Sequence, residues 1–241
     1  MWRRDYGYED DHSTHEVRTV YVVGGGPQDM YSGGPSRQPS LSFSPTELQH
    51  LAMAIGVLSL AFAIVLSSVL YNQDYNRFIF MLIISFIIVS TGFALHEIGH
   101  KYMAQRYGHW AEFRYSAMGL FIALIISAFG WIVAAPGAVY IRGNVTEEEN
   151  GKISAMGPWV NIGLTPLFWG IVFMAVILNS EFLVNLGVIG AILNPIIAGF
   201  NMIPLYPLDG SKIWKWNPAH YIFMVLIIGA LLVAAFMVFY L

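Results

Sequence analysis

Long apolar runs separated by short polar breaks set the plan of this chain. Residues 51–70, 78–104, 158–178, 182–205 and 220–241 each read as a helix able to cross a membrane, since a hydrocarbon layer of ~30 Å takes about 20 helical residues. A sixth run, 118–135, is apolar but short, and it ends in Ala134-Ala135-Pro136-Gly137. Behind it, residues 137–141 alternate and are β-branched, which predicts a strand. Two segments carry helix-start signals. Ser44, Pro45 and Glu47 predict a capping box with proline at the first helical position. Thr146 followed by Glu147, Glu148 and Glu149 predicts another capped start. Residues 1–43 are rich in Gly, Pro, Ser and Tyr and read as a disordered tail. Within the tail, residues 19–23 are the one place that fits a strand, although a solvated segment is the simpler expectation there.

Composition narrows the class. The chain is 56% apolar and 11% charged over 241 residues, with mean hydropathy +0.59. That is more apolar surface than a soluble core uses, and it predicts an all-α polytopic membrane protein. The net charge of −3, with no basic stripe, argues against nucleic-acid binding. With no cysteine, any metal must be held by His, Asp or Glu. The first 47 residues lack the early apolar core of a signal peptide.

Charge then fixes a topology. If 118–135 crosses fully, residue 209 ends on the face opposite residue 100. If it dips in and returns, eleven of the twelve Lys and Arg residues fall on one side, with only Arg77 outside. The reading is therefore five full spans plus one re-entrant hairpin, with a small β element beside it and the N-terminus in the cytoplasm. The expected divisions are a tail over 1–43, a first span and turn over 44–77, a catalytic membrane core over 78–217 and a last span over 218–241. Lys101 and Arg106 would mark the face where the second span ends. Reporter fusions placing residue 145 outside while residue 110 is inside would overturn this plan.

The chemistry lies near the end of the second span. His96-Glu97-Ile98-Gly99-His100 reads H-E-x-x-H. Histidines four apart stack on one helix face and can share a metal ion, with the glutamate placed to activate water. Ionisable groups in an otherwise apolar span are costly, which makes a functional role the first expectation. A catalytic zinc takes three protein ligands and leaves one position open. Among the downstream acids, Glu112 and Glu147–Glu149 lie in polar loops and Glu181 in the outer turn. Asp209 alone is at membrane depth on the correct face, in a proline-broken segment. The ligand set is thus read as His96, His100 and Asp209 around one zinc ion, with Glu97 as general base. Asn161 and Asn201 are candidates for steadying an oxyanion or holding substrate backbone, or equally for bonding between helices. An edge strand at Val139 would take an unwound substrate segment by strand addition. His50, His109 and His220 fall near span ends and read as interfacial.

H-E-I-G-H in a spanning helix, followed by Asn201-x-x-Pro204-x-x-Pro207-Leu208-Asp209-Gly210, resembles the site-2 protease family of intramembrane zinc metalloproteases. Gly157-Pro158-x-x-Asn161 is similar to that family's middle core helix, and 136–139 to its membrane-associated β-hairpin; the likeness covers about 80–215. It implies hydrolysis in or near transmembrane segments of membrane-protein substrates lying in the lipid bilayer, after trimming by an upstream site-1-type protease. It also implies His96, His100 and Asp209 as zinc ligands and Glu97 as base; the absence of cysteine and the terse core suit a multi-pass protein of an archaeal or bacterial plasma membrane. The chain leaves no stretch for a PDZ-like or nucleotide-sensing domain, so neither is expected. Two rivals stand beside this reading: a zinc transporter, against which the absence of a second intramembrane His–Asp cluster counts, and an inactive scaffold that binds substrate helices.

Overall fold

The computed structural model describes residues 20–23, 41–132 and 135–240. Among the described residues, five helices are long and apolar enough to cross a membrane. The first is α1 (Pro45–Ser67). Ser44 caps it, its hydroxyl accepting from the Glu47 amide. The expected capping box is only half formed. The Glu47 carboxylate turns inward instead, to pair with Lys101 and to accept from the Phe113 amide at 2.9 Å. A short α2 (Val69–Asn72) leads to the second span.

That span is one continuous rod of three parts. It runs as α3 (Tyr75–Ile88), then a π-helical turn (Val89–Phe93), then α4 (Ala94–Arg106). Asp74 caps its start through the Arg77 amide. Lys101 does not mark a solvent face, as the sequence suggested: it is 1% exposed, and its partner Glu47 is 0% exposed. Removing one member of a buried pair strands the other charge, which typically costs about 3–5 kcal/mol. Lys101→Met is therefore expected to lower the melting temperature in detergent clearly, while the double replacement Glu47→Gln/Lys101→Met, which keeps an acceptor for the Phe113 amide, recovers much of the loss.

The excursion after the second span confirms that the short apolar run returns to the face it left. Strand β2 (Trp110–Tyr115) is followed by α5 (Ala117–Ala128) and then by β3 (Gly137–Arg142). β2 and β3 pair antiparallel with Tyr115 opposite Gly137, and the Ser116 amide donates to the Pro136 carbonyl at 2.8 Å. α5 is thus carried at the tip of a hairpin. At about 1.5 Å per residue, the 12 residues of α5 reach ~18 Å, short of a crossing. β2 was not anticipated; its stretch had read as a polar loop.

A third strand completes the sheet. β1 (Val20–Val23) pairs antiparallel with β3, giving the order β1-β3-β2. Two expectations change here. Residues 20–23 are a paired strand and not solvated tail, and β3 is the central strand and not an edge. The disorder expected over 1–43 falls on 1–19 and 24–40, which lie outside the described residues, but not on 41–43, where the Ser42 amide donates to Gln105 Oε1 at 3.3 Å and Phe43 packs against the core.

Helix α6 (Glu147–Leu178) starts at a complete capping box: Thr146 accepts from the Glu149 amide while Glu149 accepts from the Thr146 amide. It runs unbroken through Pro158 into the third span. α7 (Glu181–Asn201) is the fourth, followed by turns, the short α8 (Asp209–Trp216) and the last span α9 (Pro218–Tyr240). α6 sits at the centre, packed against α4, α7 and α8. Gly99 lets α4 approach it closely; a Cβ there would lie 3.1 Å from Val160.

Candidate metal centre

Helical spacing puts His96 and His100 on the face of α4 that meets α6, with ring centroids 4.7 Å apart. The two prolines after α7 end that helix and turn the chain back, so that α8 begins beside α4. Gly210 permits the turn: a Cβ there would fall 2.2 Å from the Met202 carbonyl oxygen. Asp209, the first residue of α8, is delivered to the histidines. Its Oδ2 lies 3.5 Å from His96 Nε2 and 3.2 Å from His100 Nε2. All three residues are buried. A tetrahedral site with ligands about 2.0–2.1 Å from its metal holds them roughly 3.3 Å from one another, so this spacing fits.

The other ring nitrogens are already engaged. His96 Nδ1 is 2.5 Å from Asn161 Oδ1, and His100 Nδ1 is 2.9 Å from the Ile153 carbonyl oxygen. Both partners can only accept, so each Nδ1 carries the proton and each Nε2 keeps a lone pair facing Asp209. Asn161 is itself held: its Nδ2 donates to Gly92 O and to Asn194 Oδ1, each at 2.9 Å. Gly92 lies in the π turn just before the motif. The space in front of the imidazoles is kept open by a missing side chain. A Cβ on Gly157 would lie 2.4 Å from both His96 Nε2 and His100 Nε2. Among the described residues, His96, His100 and Asp209 are the one group able to hold a metal ion. Two buried imidazoles and a buried carboxylate suit zinc.

Comparison with known proteins agrees with this chemistry. A protein of Methanocaldococcus jannaschii, MJ0611, assigned as a zinc metalloprotease, is 40% identical over 179 residues, covering 73% of this chain and 87% of that protein. The chain belongs to the site-2 protease-like family of zinc metalloproteases. A second protein of that organism, zinc metalloprotease MJ0392, is 28% identical over 66% of this chain and 41% of its own length. Rip2 of Mycolicibacterium smegmatis, assigned in the same terms as MJ0611, is 28% identical over 73% of this chain and 71% of its own. No family model and no solved structure matches.

Within this family, each predicted residue finds a place, though not always the expected one. Glu97 is half-buried beside the pair. Asn161 cannot serve an oxyanion, because its acceptor and both its donor hydrogens are spent on His96, Gly92 and Asn194; it orients a ring instead. Asn201 donates to Ile197 in its own helix at 3.0 Å. Val139 is buried in the central strand. Replacing such a ring-orienting partner typically costs 10–100-fold in metal affinity. Asn161→Ala is expected to release zinc about 10–100-fold more readily in a chelator competition, with His100 and Asp209 still in place.

Three residues were missed by sequence reasoning. Gly157 was noted only as part of a resemblance, and Asn194 only as half of an Asn-Pro pair. The third is Lys212, one helical turn on from Asp209 and facing the same way. Its Nζ is buried without a hydrogen-bond partner, 3.9 Å from Asp209 Oδ1. Burial pushes the Lys212 ammonium below its ordinary value, against the charges of Asp209 and Glu97.

Proposed function

We propose that this chain hydrolyses peptide bonds in or near transmembrane segments of membrane-protein substrates. His96, His100 and Asp209 hold one zinc ion, and Glu97 is the general base. The observation that supports this best is the convergence of His96 Nε2, His100 Nε2 and Asp209 Oδ2 beside Glu97 at the end of an apolar span.

Bound there, zinc would acidify water and polarise the scissile carbonyl. The protein's own groups supply the rest. Glu97 takes a proton from the attacking water and returns it to the leaving nitrogen. Asn161 and the Ile153 carbonyl hold both imidazoles in the tautomer that presents Nε2. Gly157 leaves the volume in which water and carbonyl can meet. The apolar helices around the site keep bulk water out, so charges within it interact strongly. A plasma-membrane setting with the N-terminus in the cytoplasm fits the distribution of Lys and Arg, and a site-1-type protease acting first would supply trimmed substrates.

Metal removal tests the reading directly. Purified protein stripped with a chelator should lose cleavage of a transmembrane peptide, followed by mass spectrometry, and regain it when one equivalent of zinc is returned. Undiminished cleavage by the stripped protein would sink the proposal. Zinc flux into liposomes without any peptide hydrolysis would favour the transporter.

A further inference from the structure

The small sheet has two outer sides, and they are closed differently. On the β2 side, α1 covers it with side chains. The Phe113 amide donates to Glu47 Oε1 at 2.9 Å, and the Tyr115 amide donates to His50 Nδ1 at 3.1 Å. No strand can add there without stripping those bonds. On the far side of β3, what lies against the sheet is β1, a strand of only four residues.

The register says which groups β1 occupies. In an antiparallel pair, each residue sends its N–H and C=O to the same side, and the sides alternate along the strand. Phe113 and Tyr115 point theirs at α1, away from β3. Their partners Val139 and Gly137 therefore point away from β2. Val139 and Ile141 thus offer their backbone groups to the β1 side, where they face Val23 and Tyr21. This is the slot an extended peptide would use, and the sheet borders the motif helix: β3 packs against α4, and Phe113 of β2, opposite Val139, stacks edge-on against Phe93, three residues before His96.

We propose that Val20–Val23 is a self-docked strand occupying the peptide-binding edge of β3, and that an unwound substrate segment must displace it to bind. The proposal rests on the proteolytic reading for what the displacing peptide is. A pairing of four residues is weak enough to exchange, and a site that is free one time in ten binds its ligand about tenfold more weakly than an open one.

Proline placement separates docking from mere proximity. Tyr21→Pro/Val23→Pro removes both amides that β1 gives to β3, whereas Val22→Pro removes one that points away and leaves the pairing intact. None of these residues belongs to the metal site. In the full chain, hydrogen exchange at Val139 and Ile141 should accelerate in the double variant and stay slow in Val22→Pro. Affinity for the transmembrane peptide, measured in a Glu97→Gln background that cannot consume it, should rise about tenfold with the double variant. In the chain that retains Glu97, kcat/KM should rise with it. Equal exchange at Val139 and Ile141 in all three chains would show that the strand does not dock. Lost protection with unchanged peptide affinity would show that it docks without competing. Should no chain hydrolyse the peptide, the proteolytic reading fails, while exchange and affinity still decide the role of the strand.

Discussion

Glu97→Gln should abolish cleavage of a transmembrane peptide while leaving zinc in place. The substitution keeps the shape of the side chain and removes its ability to take a proton. Loss of a positioned general base costs about 10²–10⁴-fold in rate. Here the loss should sit at or beyond the upper end, because one carboxylate serves both the water and the leaving nitrogen. Glu97 is not among the three residues that converge on the metal position, so zinc content by atomic absorption should match the wild type. A variant that lost its zinc would make Glu97 a ligand. A variant that cleaved at the wild-type rate would assign the observed activity to some other group.

Gly157→Ala is the second large effect, and it acts in the opposite way. It leaves every ligand and the base untouched yet should empty the site. The added methyl would stand 2.4 Å from both Nε2 atoms, where the metal and its open position belong. The neighbour that must yield is a pair of rings whose other nitrogens are tied to Asn161 and Ile153. Zinc content should therefore fall below one tenth of an equivalent. Alanine is a better helix former than glycine by about 1 kcal/mol, which offsets part of the roughly 1–3 kcal/mol that such overpacking costs, so the stripped protein should still fold, with a melting temperature lowered only modestly. Stoichiometric zinc in Gly157→Ala would mean that α6 can back away from α4, and the role given to this glycine would fall.

The sequence made the helices and the two histidines legible, because both follow from local periodicity: apolar runs of bilayer length and an i, i+4 pair. Asp209 was reachable by elimination, since few acids lie at membrane depth. The re-entrant segment was legible from charge parity alone, and the β2–β3 hairpin explains it physically. What stayed hidden depends on partners distant in sequence. β2 mixes Trp, Glu and Arg with no clean alternation, and its pairing partner lies beyond a 12-residue helix. The capping-box pattern at Ser44 was real, but a buried Lys101 outbid the helix terminus for the Glu47 carboxylate. Asn161 looked like an oxyanion donor because its type fits that task. Only the fold shows that all its hydrogen-bonding capacity is spent on a histidine, a glycine carbonyl and another asparagine.

The π turn at Val89–Phe93 has a consequence for how the second span is oriented. Such a turn amounts to one extra residue inserted into an α-helix, and one residue corresponds to a rotation of about 100°. The span is therefore a shaft with an angular offset built into its middle. α3 can present its apolar stripe to α1 and α7, while α4, on the same rod, turns both imidazoles toward α6. A single helical wheel drawn through the whole span would aim His96 and His100 about a quarter turn away from Asn161 and Asp209. The five residues Val89–Phe93 hold the motif's compass bearing, and H-E-x-x-H alone carries no record of it.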